Sequence, residues 1–398
     1  METPYIIGGA RSYIGVENGM YKNIPAEILG AKVLKNVLEK YKKLDVDMII
    51  AGNAAGAGGN IARLMALEAG LSESIPAFTI DLQCASGLES IAVATAKIQS
   101  GQSDCIIAGG FESSSTAPRR GYNKNHPDFA LYGGQSSWYK TAKFLPGEHR
   151  QTAMLEGAEK TAVSEGITRK MLDKWVLQSH RLAKETREKG ILNDVIVEIA
   201  DGCDKDEGIR DRMGQRLLDR LPCVLESGNV ITAANACLTN DGAAFVVLGS
   251  ERYLKKHGIK PLAEVNGVAE VGVTPDESPR AAIAAVSKLL EKNHLDYHDV
   301  SVYECNEAFA VIDELFARTY PDIIDRYNIF GGALAYGHPY GASGGIIVLH
   351  ALKALELIGS TQCSICKADG KYAVCSIAAA GGIGTAILIK KADVGDTI

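Results

Sequence analysis

One cysteine of this sequence lies where chemistry favours its ionised form. Cys84 follows an apolar segment at 77–81 and precedes the Ala-rich apolar run Leu88–Ile98, which predicts a buried helix. The N–H groups at the start of a helix carry partial positive charge, so they stabilise a thiolate, which is the nucleophilic form of cysteine. The pattern therefore indicates a nucleophile, although a buried structural cysteine would produce the same pattern.

A histidine near the C-terminus lies in a turn that is rich in glycine. His338 is followed by Pro339 and flanked by the glycine pairs at 331–332 and 344–345. Glycine lets the backbone approach a ligand closely, and a histidine in such a stiff frame is a candidate site residue. No Lys-Ser or Lys-Thr pair follows the glycines, so the segment does not match a phosphate-binding loop and nucleotide hydrolysis is not predicted.

The elements that must position these residues alternate between strand and helix. In the first 118 residues, apolar patterns predict strands at 4–9, 48–51, 77–81 and 105–108, and helices at 25–43, at 60–70 and after Cys84. This β-α-β order predicts a parallel sheet covered by helices. From 118 to 228 the alternation breaks, and polar helical stretches such as 168–189 predict an inserted helical domain.

The alternation returns after residue 229, with a strand predicted at 243–248 and helices near 280–292, 306–319 and 342–357. The uncharged segment Tyr372–Ile389 is about as long as a membrane helix, but its central glycines and β-branched flanks predict two buried strands joined by a tight turn. We therefore predict an α/β chain with two similar halves, formed by 1–118 plus 229–262 and by 263–398, and an inserted domain at 119–228.

Composition limits the class of protein and its partners. Charged residues make up 23% and hydrophobic residues 46%, which is typical of a globular chain rather than a disordered one. The net charge of −6 is not gathered into long like-charge runs, so no nucleic-acid partner and no membrane partner are predicted. The N-terminus does not resemble a secretory signal, and the odd number of cysteines favours reduced thiols, so a cytoplasmic location is predicted.

Two further groups of side chains have ordinary explanations. Cys363 and Cys366 are spaced like half of a zinc site, with Cys375 further on, but no second pair or histidine follows at a suitable distance, so no metal is predicted. The acidic run of Asp204, Asp206 and Glu207 is predicted to be a solvated face of the inserted domain.

Five stretches of the chain resemble the signatures of the thiolase family and occur in the order that the family has. They are Gln-Cys-Ala-Ser-Gly at 83–87, Gly-Gly-Phe-Glu-Ser at 109–113, Asn-Asp-Gly-Ala-Ala at 240–244, Asn-Glu-Ala-Phe-Ala at 306–310 and Gly-His-Pro-Tyr-Gly-Ala-Ser-Gly at 337–344. Together they are highly specific, and the similarity covers essentially the whole chain.

The resemblance implies a fold and a set of catalytic roles. The fold would be two related α/β halves in five layers, αβαβα, with a helical loop domain over the active site. Cys84 would be the nucleophile that takes an acyl group from coenzyme A, and His338 would activate it. Asn306 would hold a water that, together with His338, stabilises the enolate of a thioester. A second oxyanion hole would come from the backbone N–H groups of Cys84 and Ala380.

The chain departs from the family where a second cysteine normally moves the α-carbon proton. Gapless alignment of the segment 372–384 places Ala378 there, just before the glycine turn. The nearest thiol, Cys375, is three residues upstream, and this odd spacing along a strand directs it to the opposite face. Removal of an α-proton therefore has no obvious base, whereas plain acyl transfer stays feasible.

The expected substrate pocket also departs from the family. A loop-domain histidine that commonly touches the pantetheine arm is replaced by Ala153, and a small serine on the other side of that arm is replaced by Cys237. The candidate substrate-binding residues are Met154, Cys237, Ala308 and Phe309. Glu307 could be an acid or base, although in the family motif this residue mostly supports the local structure.

These features predict an acyltransferase that forms an acyl-cysteine thioester from a small or medium acyl-coenzyme A and transfers it. The sequence leaves open whether the protein also forms or cleaves carbon–carbon bonds, and whether the acyl donor is an acyl-carrier thioester instead. No cofactor is predicted beyond the coenzyme A thioester. The alternatives are a non-catalytic homologue that binds acyl thioesters or a partner enzyme, and a thioester hydrolase. Family members pair across a two-fold axis, so a homodimer or homotetramer is expected.

Overall fold

A computed structural model describes residues 1–42, 44–132, 138–147, 149–358 and 371–392 of the chain. The N-terminal half contains β1 (Pro4–Ser12), β2 (Gly15–Val16), α1 (Ala26–Lys40), β3 (Met48–Gly52), α2 (Ile61–Glu68), β4 (Ala77–Ile80), α3 (Ser86–Gln99) and β5 (Cys105–Ser113). The predicted strands and helices of this half are all present. Cys84 lies between β4 and α3, as the apolar pattern predicted.

The inserted segment and the C-terminal half follow. The segment 119–228 contains α4 (Ala153–Ser164), α5 (Arg169–Glu188), β6 (Ile196–Val197) and α6 (Gln215–Leu218). After it come β7 (Asn240–Ser250), α7 (Glu251–His257), β8 (Ala263–Gly272), α8 (Arg280–Lys292), β9 (Val300–Cys305), α9 (Ala310–Thr319), α10 (Ala333–Tyr336), α11 (Ser343–Leu357), β10 (Tyr372–Ala379) and β11 (Ile383–Lys391). The predicted pair of strands at 372–389 is confirmed.

The described strands form one sheet in the order β4-β3-β5-β7-β1-β8-β11-β10-β9, with β2 beside β7 and β6 beside β1. The prediction of a parallel sheet is wrong in part. β3 is parallel to β4 and β5, and β9 is parallel to β10, but β7 and β11 run antiparallel to their neighbours. For β11 the reason is local, since a short glycine turn joins it directly to β10 and reverses the chain.

Five layers follow from how the helices pack on this sheet. α1 and α2 cover the outer face of the N-terminal strands, and α8 and α9 cover the outer face of the C-terminal strands. α3 and α11 pack on each other between the two sets of strands. The order of layers is therefore αβαβα, and the middle layer brings the N-terminus of α3 beside that of α11.

The inserted segment packs against the C-terminal half through α5, which contacts α9 and α10. A loop of this segment also reaches the turn between β10 and β11, where a Cβ atom added to Gly381 would lie 3.5 Å from the carbonyl oxygen of Phe144. The inserted segment thus lies over the end of the hairpin that carries Ala378 and Ala380. The residue bounds given above for the domains stay predictions.

Two local predictions are corrected by the structure. The helix predicted at 306–319 begins only at Ala310, because Asn306 donates its N–H to the carbonyl of Ser376 at 2.9 Å and Phe309 is extended. The acidic run is not a solvated face: only Asp204 is exposed. Asp206 is buried and accepts two hydrogen bonds from Arg11, at 2.9 and 3.0 Å.

The prediction of a solvated face is also corrected for Glu207. Its Oε2 accepts the backbone N–H groups of Val16 and Met20, each at 3.0 Å. The acidic run therefore binds the inserted segment to the chain that follows β1. The sequence pattern did not predict this because the Asp206 partner, Arg11, lies 195 residues away.

Candidate active site

The backbone around Cys84 has a sharp, strained bend. Gln83 has φ of 51°, in the left-handed region that non-glycine residues rarely adopt. Its N–H donates to Asp81 Oδ1 at 3.0 Å, and Ser86 Oγ accepts the N–H of Leu82 while donating to the carbonyl of Gln83. These hydrogen bonds hold the bend between β4 and α3 that carries Cys84.

Cys84 is only 9% exposed, and this changes its expected ionisation. Burial raises the pKa of the Cys84 thiol to about 12, although hydrogen bonds from the N–H groups of Ala380 and of Cys84 itself oppose that rise. The backbone N–H groups near the helix start therefore favour the thiolate, but the desolvation of the thiolate outweighs their effect in the resting protein. A base must take the proton as the sulfur reacts.

The turn that carries His338 lies directly against the start of α3. A Cβ atom added to Gly344 would lie 1.9 Å from the backbone nitrogen of Leu88, and one added to Gly87 would lie 2.4 Å from the carbonyl oxygen of Gly341. Only glycine permits such close contact between two backbones. The glycines that surrounded Cys84 and His338 in the sequence therefore bring these two segments together.

The hydrogen bonds of His338 define its tautomer. Ser343 Oγ donates to the carbonyl of Pro339 at 3.0 Å, so it must accept from His338 Nδ1–H, which lies 2.6 Å away. Nε2 then carries the lone pair, and Asn306 Nδ2 donates to it at 3.4 Å. Burial lowers the pKa of His338 to about 3, so the imidazole is neutral and can accept a proton at Nε2.

A second asparagine fixes the backbone of this turn. Asn240 Oδ1 accepts the N–H of His338 at 2.8 Å, and Asn240 Nδ2 donates to the carbonyl of Gly15 at 2.9 Å. Gly337, with φ of 108°, leaves room for the Asn240 side chain, which would lie 2.3 Å from an added Cβ atom. Asn240 is in the signature at 240–244, but the sequence alone did not indicate its role.

The four candidate substrate-binding residues belong to, or pack against, the same apolar cluster as Ala378. Ala308, Phe309 and Ala378 are buried in one apolar cluster, and Met154 and Cys237 pack against it while partly exposed. The N–H of Cys237 donates to the carbonyl of Ala308 at 2.9 Å. Residues of the inserted segment, of the chain before β7 and of the chain before α9 therefore pack in one cluster, and their role in binding a substrate stays a prediction.

The cysteine nearest in sequence to Ala378 faces away from this cluster. Cys375 packs in the middle layer with α11, and its thiol lies 3.6 Å from the carbonyl of Ile347. The prediction that the odd spacing directs it to the opposite face is confirmed. Cys375 therefore does not replace the thiol that Ala378 lacks.

Tyr340 is a residue of this site that the sequence reasoning missed. Its ring lies edge-on to His338, with 5.1 Å between the ring centroids. Burial raises the pKa of its phenol, with further contributions from the nearby thiols of Cys237 and Cys84. The signal in the sequence that could have identified it is an aromatic residue inside a glycine-rich turn.

Two buried glutamates hold the loops that form the site. Glu112 accepts the N–H groups of Ala54, Ala55 and Gly341 at 3.0 to 3.1 Å, so it joins β5 to the turn after His338. Burial raises its pKa to about 7. Its position in an apolar strand was a signal that the sequence reasoning did not use.

Glu307 has a comparable role in the C-terminal half. It accepts hydrogen bonds from Ser179 Oγ, Asn328 Nδ2 and the N–H of Leu334 at 2.7 to 3.1 Å. These contacts join α5 to the segment before α10. They explain why Glu307 supports the local structure, as expected, rather than facing the pocket.

Within the described parts of the chain, no cluster of three or more His, Cys, Asp or Glu side chains could hold a metal ion. Cys363 and Cys366, the residues considered for zinc, lie outside the described residues. No helix of the described chain is long and apolar enough to cross a membrane.

Comparison with known families agrees with the fold. The model of the thiolase N-terminal domain matches residues 4–252, and the model of the thiolase C-terminal domain matches residues 259–391. The protein YhfS of Bacillus subtilis (strain 168), named for acetyl-CoA C-acetyltransferase activity, is 33% identical over 97% of this chain and 98% of its own length. The chain belongs to the thiolase family and is an acyltransferase of that family.

Solved structures support the same assignment. The acetyl-CoA acetyltransferase of Bacillus anthracis has a TM-score of 0.86 and 29% identity, over 98% of this chain and 99% of its own. A thiolase from Ascaris suum in complex with coenzyme A has a TM-score of 0.84 and 30% identity, over 98% and 100% of the two chains. A non-catalytic homologue is not favoured, since these relatives are named for acyl transfer.

Proposed function

We propose that this acyltransferase takes a small or medium acyl group from an acyl-coenzyme A, carries it as a thioester on Cys84 and forms carbon–carbon bonds poorly. The observation that supports it best is that the backbone N–H groups of Ala380 and of Cys84 itself lower the pKa of the Cys84 thiol, which indicates that both lie close to the sulfur. Donors in this position can stabilise the oxyanion that forms when the sulfur attacks a carbonyl.

His338 is the base in this mechanism. The Cys84 proton passes to Nε2 of His338 as the sulfur attacks the thioester carbonyl carbon, and the carbonyl oxygen becomes an oxyanion held by the N–H groups of Cys84 and Ala380. The tetrahedral intermediate then collapses, the bond to the coenzyme A sulfur breaks, and the departing thiolate takes the proton from the imidazolium. Because burial disfavours the charged imidazole, the imidazolium exists only between these two transfers.

Carbon–carbon chemistry needs a further step for which this site is poorly equipped. Asn306, which donates to Nε2 of His338, is proposed to hold a water that stabilises a thioester enolate together with His338. Formation of that enolate requires a base at the α-carbon, and the position that the gapless alignment assigns to this base holds only the methyl group of Ala378. A positioned base contributes about 10²–10⁴-fold, so condensation should be slower than acylation by a factor of this size.

Isotope exchange tests the acylation half-reaction alone. Exchange of labelled coenzyme A into acyl-coenzyme A requires only that the acyl group moves to the protein and back. With a panel from acetyl to octanoyl, we expect exchange by the unmodified protein, loss of exchange in Cys84→Ala, and retention in the matched control Cys375→Ala. Absence of exchange with every member of the panel would overturn the proposal.

The proposal extends to the donor, the assembly and the location. The structure of the relative from Ascaris suum is a complex with coenzyme A, which favours coenzyme A over a carrier protein as the donor. We propose no cofactor beyond the coenzyme A thioester. We also propose a homodimer or homotetramer that pairs through the edge strand β4. A cytoplasmic location is consistent with the seven described cysteines, which are all free thiols.

A further inference from the structure

A small internal cavity lies behind the proposed catalytic residues. Its volume is about 20 Å³, which is enough for one water molecule. β9, α10 and the first half of α11 form its walls. Polar side chains from two of these elements face it, namely Glu304 of β9 and His350 of α11.

Both of these side chains have a buried atom without a partner. Glu304 is 1% exposed and His350 is 2% exposed. Within the described chain, neither Oε1 of Glu304 nor Nε2 of His350 has a hydrogen-bond partner. A buried polar atom without a hydrogen bond costs about 1–3 kcal/mol, and two such atoms beside one cavity of molecular size indicate a bound molecule that satisfies both.

The cavity also touches both hydrogen-bond partners of the His338 imidazole ring. Asn306, which contacts Nε2, and Ser343, which contacts Nδ1, are wall residues of the same cavity. Whatever fills the cavity therefore supports the two side chains that orient the imidazole. Neither Glu304 nor His350 takes part in the proposed mechanism.

We propose that this cavity binds one water molecule between Glu304 and His350, and that this water positions Asn306 and Ser343 around His338. A neutral occupant fits the charges, because burial and the nearby Glu307 raise the pKa of Glu304 while burial and Arg11 lower the pKa of His350. These shifts favour the protonated carboxyl and the neutral imidazole, so a neutral occupant fits the cavity better than a cation. Glu304 and His350 are positioning residues rather than catalytic ones.

The site can be tested first without any variant. A crystal structure of the full chain at a resolution that shows waters should contain an ordered water within hydrogen-bond distance of Glu304 Oε1 and His350 Nε2. An empty cavity would overturn the inference. This result does not depend on whether Cys84 is acylated, so it tests the water site separately from the proposed function. Only the effect of the water on His338 rests on the proposed function.

Two variants then test the positioning role. His350→Phe keeps an aromatic ring beside Tyr336, whose ring lies 5.2 Å away, but removes Nε2. It should lose the water and acylate Cys84 about 10- to 100-fold more slowly with an unchanged KM, since small misplacements of catalytic groups cost this much. Glu304→Gln matches the neutral carboxyl and should keep both the water and the rate. Full activity of His350→Phe, or an equal loss in Glu304→Gln, would contradict the positioning role.

Discussion

Replacing Ala378 with cysteine should raise the carbon–carbon activity, which we propose to be weak in the unmodified protein. Ala378 is buried in the same apolar cluster as Ala308 and Phe309, and its cross-strand neighbour is Gly384, so the substitution adds one sulfur atom beside a residue that has no side chain. Overpacking of a core by this amount costs about 1–3 kcal/mol, which is less than the 5–15 kcal/mol of a typical folded protein. The variant should therefore fold.

The expected gain follows from the contribution of a positioned base. A base at the α-carbon is worth about 10²–10⁴-fold, equivalent to about 3–5 kcal/mol of barrier, so Ala378→Cys should raise acetoacetyl-coenzyme A synthesis and cleavage by a factor in that range. Acylation of Cys84 should change little, because no atom of Ala378 takes part in it. Both steps can be measured on the same sample, as thiolysis of acetoacetyl-coenzyme A and as exchange of labelled coenzyme A.

Ala379→Cys is the matched control. It adds the same thiol to the same strand, but Ala379 packs in the middle layer on the other face of β10. It should leave carbon–carbon activity at the level of the unmodified protein. Ordinary thiolase rates in the unmodified protein, or equal gains in both variants, would refute the inference from Ala378 and leave the family assignment intact.

Three further predictions concern the base, its pH dependence and the buried ion pair. His338→Gln should slow acylation by about 10²–10⁴-fold in single-turnover assays, and a loss below threefold would contradict the role of His338 as base. Cys84 has a pKa of about 12 and His338 a pKa of about 3, so both side chains stay neutral from pH 5 to 9. The single-turnover acylation rate should therefore be nearly flat over that range. A tenfold rise per pH unit would indicate attack by a free thiolate instead. Asp206→Ala leaves the buried Arg11 guanidinium without its partner and should lower the free energy of unfolding in urea by about 3–5 kcal/mol, whereas the exposed neighbour Asp204→Ala should not change it.

Local patterns predicted much of the fold. The strand before Cys84, the helix after it and the β10–β11 hairpin each follow from apolar runs and glycines that lie within a few residues of one another. The apolar pattern of the sequence did not predict contacts between segments that are distant along the chain. Asp206 was predicted to be solvated because the sequence does not show that the inserted segment returns to β1, where the Arg11 guanidinium donates a hydrogen bond to the Asp206 carboxylate.

The chemistry of the site was predicted less completely than its position. The residue types identified Cys84, His338 and Asn306, but the ionisation of Cys84 depends on how deeply the middle layer buries it. The tautomer of His338 likewise depends on Ser343, whose hydroxyl is held by a backbone carbonyl. Residue spacing gives neither quantity, since the burial of Cys84 arises from packing between the two halves of the chain and the tautomer of His338 arises from the folded geometry of its own turn.

The most direct test of the account is the mass of the intact protein after brief incubation with acetyl-coenzyme A. The unmodified protein should gain one acetyl group, and peptide mapping should locate it on Cys84. Cys84→Ala should gain none, while Cys375→Ala, which removes a buried thiol on the other face of β10, should be acetylated like the unmodified protein. An acetyl group on another cysteine, or an adduct that persists in Cys84→Ala, would contradict the assignment of Cys84 as the nucleophile.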